Sequence, residues 1–456
     1  MSKIIYIKTD AIELEDIKRV LVRMGNEVVV YPGKMNSVRV LPEEVKKLSE
    51  FIKEQGALFA ISYDFIPSIA QSTMEAKIPY AAFVYDDPQV ECYTMYAQYP
   101  NVYLFVFDRH EQKRLLNLGL KNVYYTVLGV DKDKEKYIPP DSDYTPCDCD
   151  VAFVGQLYNT SYMDKALNSM SDEMREKLLD TVDEKALKWE DGSFYGVFPD
   201  DICDHLAKYD GFEYKKKYPY IDRHLFFEAA VAARLVARKE RLVVLNALSQ
   251  KYKVCLYTFD KDTKDLCESV SIRPGAKYDR QVSKAYRAAK INLNIPLHTI
   301  EMGANQRVFD IMGAGGFVIS SYNEELERLF VCDEEIVLFK DMNELEEKVS
   351  YYLNNKEARE RIARQGRLRI EKEYNLQSIL ENIIEIVTTD IKNKDCEMTY
   401  DKLWKSDIER VILVKASSLM NEKMWLEAYK ALREIPNPSL EAQNLVVSME
   451  RIINSL

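Results

Sequence analysis

The chain is predicted to be an α/β protein of two doubly wound domains, and three observations predict it. Its 456 residues exceed what one hydrophobic core fills, since single cores stop growing near about 250–300 residues. Two blocks of short, β-rich apolar runs alternate with helical stretches, the pattern of βαβ units on a parallel sheet. A polar break separates the blocks.

In the first block, residues 1–138, strand candidates fall at 3–9, 27–31, 58–63, 80–85, 102–107 and 123–128, with helices such as 14–24, 43–54 and 111–118 between them. The stretch 131–149 then turns polar around Pro139-Pro140 and Asp141-Ser142-Asp143, which places a linker at 139–149. The second block, 150–390, has strand candidates at 150–154, 253–258, 269–272, 291–295, 316–320 and 335–339. Its first two strands are separated by far more than the usual βα connection of about 2–6 residues. That gap is helical in pattern, with runs 161–182 and 223–249, so a helical insertion at about 160–249 is the economical explanation. Helices at 342–353, 356–374 and 376–387 close the block, and a polar stretch leads to a helical tail at 398–456. The segment 419–429 resembles one helix of a tetratricopeptide-type hairpin, but a repeat array needs about three units, so the tail reads as a small helical appendage. The expected architecture is two Rossmann-like domains with a helical insertion and that C-terminal appendage.

Composition narrows the partners. A chain 47% hydrophobic and 30% charged with 15 Gly and 15 Pro is neither disordered nor fibrous. Its net charge of −11 suits no polyanion that must be neutralised phosphate by phosphate, so no nucleic acid partner is expected. The basic run Lys215-Lys216-Lys217 reads first as a solvated face, and otherwise as a touch point for an acidic ligand. The N-terminus lacks the long apolar region of a signal peptide, and no stretch of about 18 uncharged apolar residues occurs, so a cytoplasmic protein without a transmembrane segment is expected. Eight scattered cysteines show no disulfide framework and are expected as reduced thiols.

Open α/β sheets bind ligands at the carboxyl ends of their strands. The first strand of the second block ends Val154-Gly155, where a glycine lets backbone approach a phosphate or simply makes a tight turn. A stronger signal starts at the strand end Asn292-Leu293-Asn294-Ile295-Pro296. There follow Gly303-Ala304-Asn305-Gln306-Arg307-Val308-Phe309-Asp310 and then Gly315-Gly316 before an apolar strand. Gly303 is expected to open a helix whose N-terminal amides face an anion, with Arg307 and Asp310 one turn apart on a shared face.

Strand, proline, glycine-containing loop, acidic helix and Gly-Gly-Phe-Val-Ile-Ser together resemble the donor-binding segment of GT-B glycosyltransferases. The details are most similar to the CgeB-like spore-protein glycosyltransferases, with their Gly-x-Asn-x-Arg-x-Phe-Glu helix. Phe83-Val84-Tyr85-Asp86-Asp87-Pro88 is similar to the Asp-x-Pro strand end of that family's N-terminal domain. The resemblance spans roughly residues 55–375. It implies a metal-independent hexosyltransferase that needs no cofactor and uses a nucleoside diphosphate sugar as substrate. The acceptor it implies is a hydroxyl on a surface, spore or flagellar glycan or glycoprotein.

The resemblance implies the site as well. Asp310 stands where the family's acidic residue binds the donor ribose, one methylene shorter than the usual Glu. Met302 stands eight positions before it and Glu301 one off, so the two-glutamate spacing of related retaining enzymes is absent. Arg307, with amides near Gly155 and Gly303 and the adjacent Asn305, is expected at the diphosphate; a salt bridge to Asp310 is the plainer reading. Arg273 and Tyr278 stand where related enzymes recognise the donor base, Tyr278 equally as core. Asp86 is the candidate for taking the acceptor proton, with Asp87 its rival and loop capping the alternative for both. His298 is placed at phosphate or sugar, or is a bland loop histidine.

Other signals have less behind them. Asp148-Cys149-Asp150 has the form of a cation-chelating triplet but enters a strand instead of leaving one, and Cys147-x-Cys149 lacks a second Cys or His pair at zinc spacing, so no metal is expected. Gly313-Ala314-Gly315-Gly316 follows a helix and is no dinucleotide fingerprint. Two rival functions remain: a nucleotide-sugar epimerase on the same fold, and a non-catalytic partner subunit that docks through its helical tail on a protein partner.

Overall fold

The computed structural model describes residues 2–8, 15–33, 35, 40–134, 144–158, 161–189, 194–209, 212, 214, 221–278, 281–393, 416, 420, 425–433 and 440–453. The Pro139-Pro140 turn, the Lys215-Lys216-Lys217 run and most of 398–424 lie outside the described residues.

Two parallel six-stranded sheets form the body, as the alternating pattern predicts. The first holds β1 (Lys3–Tyr6), β2 (Glu27–Val30), β3 (Phe59–Tyr63), β4 (Tyr80–Phe83), β5 (Val102–Val106) and β6 (Val123–Tyr125), ordered β2-β1-β3-β4-β5-β6. The second holds β7 (Cys149–Val154), β8 (Val254–Thr258), β9 (Val270–Pro274), β10 (Ala289–Asn294), β11 (Val318–Ser321) and β12 (Val337–Phe339), ordered β12-β11-β10-β7-β8-β9. Strands β3, β4 and β5 are buried along their whole length, as expected of a sheet covered on both faces. In the second sheet the connections run outward in opposite directions from the neighbours β7 and β10, which makes a crevice at their carboxyl ends.

The turn into β11 is built by a Schellman-type ending. Gly315, at φ +80°, follows the helix Gln306–Gly313; its amide bonds the Met312 carbonyl, and the Gly316 amide bonds that of Ile311. A Cβ on Gly316 would sit 2.9 Å from Asn292 Nδ2. Both glycines are therefore demanded by local geometry.

The run 161–182 is not one helix. Ser171 ends the first piece, Ser161–Asn168, and caps the second, Asp172–Lys185, by accepting from the Met174 amide at 3.2 Å. The insertion also leans on the first domain. Phe194, Phe198, Phe226 and Phe227 share one core with Tyr80, Leu104 and Tyr93. The run 223–249 is a helix, Arg223–Phe227 and Ala233–Ser249, interrupted by a π turn at Glu228–Ala232.

One further feature crosses between the halves. The helix Leu376–Asn393 puts Ile379, Ile383 and Val387 into a core with Ile17, Val20 and Leu21 of the first half. At the start of the polar stretch, Asp131 is buried against Arg23 at 2.9 Å, within the first half. In the tail, helices Trp425–Leu432 and Leu440–Ile453 share a small core of Ala428, Leu432 and Met449. No helix among the described residues is long and apolar enough to cross a membrane.

Candidate functional site

A cavity of about 730 Å³ lies between the halves, within the size range of small-molecule sites. The first half contributes Tyr85, Asp86, Asp87 and Glu91, and the end of β7 contributes Gln156 and Tyr158. The insertion adds Phe212, Phe226, Ala229, Ala230 and Arg234, and the loop after β10 adds Leu297, Thr299 and Ile300.

Three guanidiniums gather on one side. Arg234 Nη1 donates to the Ala229 and Ala230 carbonyls at 2.9 and 2.8 Å, carbonyls that belong to the π turn. One helical repeat on, Arg241 is 1% exposed and spans the crevice, donating to the carbonyls of Gln156 (2.6 Å) and Ile295 (2.7 Å). Arg307 donates to the Val154 carbonyl (2.9 Å) and Asn294 Oδ1 (3.0 Å). Arg241 and Arg307 each stand about 5 Å from the Phe153 ring centroid, at 5.1 and 5.0 Å. None of the three meets a carboxylate within 4.0 Å among the described residues. Tyr158, in left-handed backbone at φ +58°, registers their field. Burial would raise its phenol pKa, yet Arg241, Arg307 and Arg234 together hold it below the ordinary value.

Carboxylates face them. Burial raises Asp86, with Arg234 pulling the other way. Asp64, at the end of β3, accepts the Tyr85 amide at 2.8 Å and is raised to about 7, first by burial and then by Asp86. The two titrate as a pair. Asp87 is pushed up by burial and by Asp108 and Glu111, and its nearest cation is Arg114 at 3.8 Å.

The expected site residues divide. Asp86 lines the cavity and Arg307 joins the guanidinium group. Arg307 does not pair with Asp310, whose Oδ1 accepts from Tyr278 (2.7 Å) and Gln306 (3.0 Å). Its Oδ2 accepts no hydrogen bond among the described residues. Burial raises Asp310 against Lys134 and these two donors, and Asp310 is coupled to Tyr85 of the cavity wall. Tyr278 is thus Asp310's partner, with Lys134 over its ring at 3.5 Å. Asn305 is the N-cap of Gln306–Gly313 and exchanges two 3.0 Å bonds with Asn294, so its side chain fixes the Asn294 amide that receives Arg307.

Four of the expected residues are held by other partners. The Gly155 amide is committed to the Tyr257 carbonyl at 3.0 Å; what the missing Cβ gives is room, since one would lie 3.1 Å from Arg307 Nη2. Gly303 does not open the helix. It bridges Asp108 of the first half, where a Cβ would lie 2.7 Å from the Phe107 carbonyl oxygen, so its purpose is close approach of the two halves. His298 turns inward to Glu240 at 2.9 Å; burial lowers its pKa, but that carboxylate outweighs it and the net shift is upward. Arg273 shares a sheet face with Tyr257 and lies 3.8 Å from Cys147 Sγ. In the Asp148-Cys149-Asp150 triplet, Asp150 pairs with Lys290 at 2.8 Å.

Arg234, Arg241, Tyr158 and Asp64 are absent from the sequence-based expectation. A signal existed for two of them. Arg234 and Arg241 are seven apart in an apolar helix, and Arg241 falls in phase with the buried Ala237, Val244 and Leu248.

Residues 227–385 match the model of a family described as glycosyl transferase-like. No curated protein matches. Among solved structures, the chain is similar to sucrose-phosphate synthase from Thermosynechococcus elongatus (TM-score 0.47, 10% identity, 86% of this chain and 100% of that one). A glycosyltransferase from Rickettsia africae gives 0.45 and 12% identity over 86% of this chain and 99% of that one. Anabaena HepE in complex with UDP and glucose gives 0.45 and 11% identity over 85% and 100%.

Proposed function

We propose that the protein is a glycosyltransferase using a nucleoside diphosphate sugar, with the diphosphate facing Arg234 and the acceptor hydroxyl facing Asp86. The observation that carries this reading is the Tyr158 phenol, held below its ordinary pKa by three guanidiniums that meet no carboxylate within 4.0 Å among the described residues. A fixed positive field of that kind stabilises the charge that builds on a departing diphosphate. The family match supports it, because 227–385 includes the helices that carry all three arginines. Asp86 takes the acceptor proton as the acceptor oxygen bonds the anomeric carbon and the carbon–oxygen bond to phosphate breaks. Asp310, with Oδ2 uncommitted, is assigned to the ribose diol. The CgeB-like pattern Gly303-x-Asn305-x-Arg307 supports a surface, spore or flagellar glycan or glycoprotein as acceptor, and the helical tail is assigned to a protein partner.

The test is a thermal-shift panel of nucleoside diphosphates and their sugars, in which a ligand at 100 times its Kd adds about 2.7 kcal/mol. At least one should shift the protein, and Arg234→Gln should abolish the shift. No shift with any nucleotide, or an unchanged one in Arg234→Gln, sinks the assignment. Consumption of the sugar nucleotide with no acceptor present would instead mark an epimerase.

A further inference from the structure

Outside the cavity, Cys147, Cys149 and Cys255 converge, and their sulfurs all lie within 4.8 Å of one another. Cys149 opens β7 and Cys255 is the second residue of β8, so the group sits at the half of the sheet away from the strand ends that line the cavity. Strict alternation would send Cys149 to the face of Val151 and Phe153. Instead it shares a core with Ala152 and Cys255, while Val151 and Phe153 belong to the opposite layer. The cause is a doubled contact in which the Asp150 and Val151 amides both donate to the Lys253 carbonyl, at 2.9 and 3.2 Å, like a bulge at the strand's start. The Cys147 amide donates to the Tyr257 hydroxyl at 2.7 Å, which holds the third sulfur over the same face.

We propose that these three cysteines bind a thiophilic divalent cation of the zinc class, which staples the segment entering the second domain to β7 and β8. Zinc–sulfur bonds of about 2.3 Å in a tetrahedron need sulfurs roughly 3.8 Å apart, so modest side-chain rotation closes the nest. Thiolates select soft cations over magnesium or calcium. Charge balances: three thiolates against one dication leave a single negative charge, and the Arg273 guanidinium stands 3.8 Å from Cys147 Sγ. The buried Tyr144 hydroxyl lies beside Tyr257 on the same side as Cys255 and Cys147, so it or a water is placed to complete the coordination. The sequence showed only Cys147-x-Cys149; the third ligand comes from the neighbouring strand.

The full-length protein, reduced and stripped with chelator, is titrated with Co²⁺ alone and then with Zn²⁺. A thiolate-to-cobalt charge-transfer band saturating near one equivalent, bleached by Zn²⁺, is expected, together with a Tm raised by Zn²⁺. Cys147→Ser, at the half-exposed ligand, should weaken binding by at least about tenfold, the low end of what even an outer-shell change costs. Cys255→Ser should abolish the band, and Cys267→Ser should leave it unchanged. No band in the folded wild type, an equal band in Cys147→Ser, or a Cys149–Cys255 disulfide with no metal affinity overturns the proposal.

Discussion

The two walls of the cavity solve opposite electrostatic problems. On the insertion side, guanidiniums lie close together with backbone carbonyls and one another for company. On the other side, carboxylates lie close together under burial that favours their protonated forms. Each wall alone is unfavourable, since like charges are held near each other with little counter-charge. Facing each other across about 730 Å³, they give the electrostatic division on which the proposed roles of Arg234 and Asp86 rest. The charge separation marks the cavity as built for chemistry more than for stability.

Removing one wall's function should leave the other's intact. Asp86→Asn should lower kcat by about 10²–10⁴-fold while nucleotide-induced thermal shifts persist; loss of both would mean that Asp86 holds the fold or the donor. The pH profile should sharpen this further. Because the Asp64–Asp86 pair must lose its proton to act as base, kcat/KM should rise with pH on an acid limb shifted up toward 7, and Asp64→Asn should move that limb.

The same carboxyl also affects stability. Folded Asp64 keeps its proton to about pH 7, whereas the unfolded chain releases it near 4, so folding stability falls as pH rises through that window. At about 1.4 kcal/mol per unit this is on the order of 4 kcal/mol, and urea denaturation at pH 5 and pH 8 should show the slope flattened in Asp64→Asn. Arg241→Met strands the Gln156 and Ile295 carbonyls and should cost about 3 kcal/mol; Arg234→Gln, whose bonds go to its own helix, should cost far less in the same denaturation series. Gly303→Ala should cost about 1–3 kcal/mol, read as a lowered Tm. It presses on Phe107 and acts through the fit of the halves without touching either wall.

All twelve strands were legible as apolar runs, because strands buried on both faces, such as Phe59–Tyr63, need continuous hydrophobicity. What escaped were features set by partners distant in sequence. Ser171 reads as an ordinary residue within a helical pattern until its hydroxyl is seen to cap the next helix. Arg241 falls in phase with the buried face of its helix, but only the crevice between β7 and β10 supplies the carbonyls that make its burial tolerable. Gly303 and Gly155 were legible as special positions, but the atoms that require them, Phe107 and Arg307, are contributed by other segments. Asp310 and Tyr278 were identified separately, and their hydrogen bond is visible only once the fold joins them.

The π turn at Glu228–Ala232 makes spacing, more than side-chain identity, the determinant of where Arg234 points. Each residue removed from a helix rotates all that follows by about 100°. Deleting one alanine there would restore ordinary helical pairing while swinging Arg234 and Arg241 away from their partners, or Phe226 and Phe227 out of theirs. Exchanging that alanine for serine would do neither. Across a library of variants the half-buried Ala230 should therefore accept a small polar residue, and the segment no change of phase.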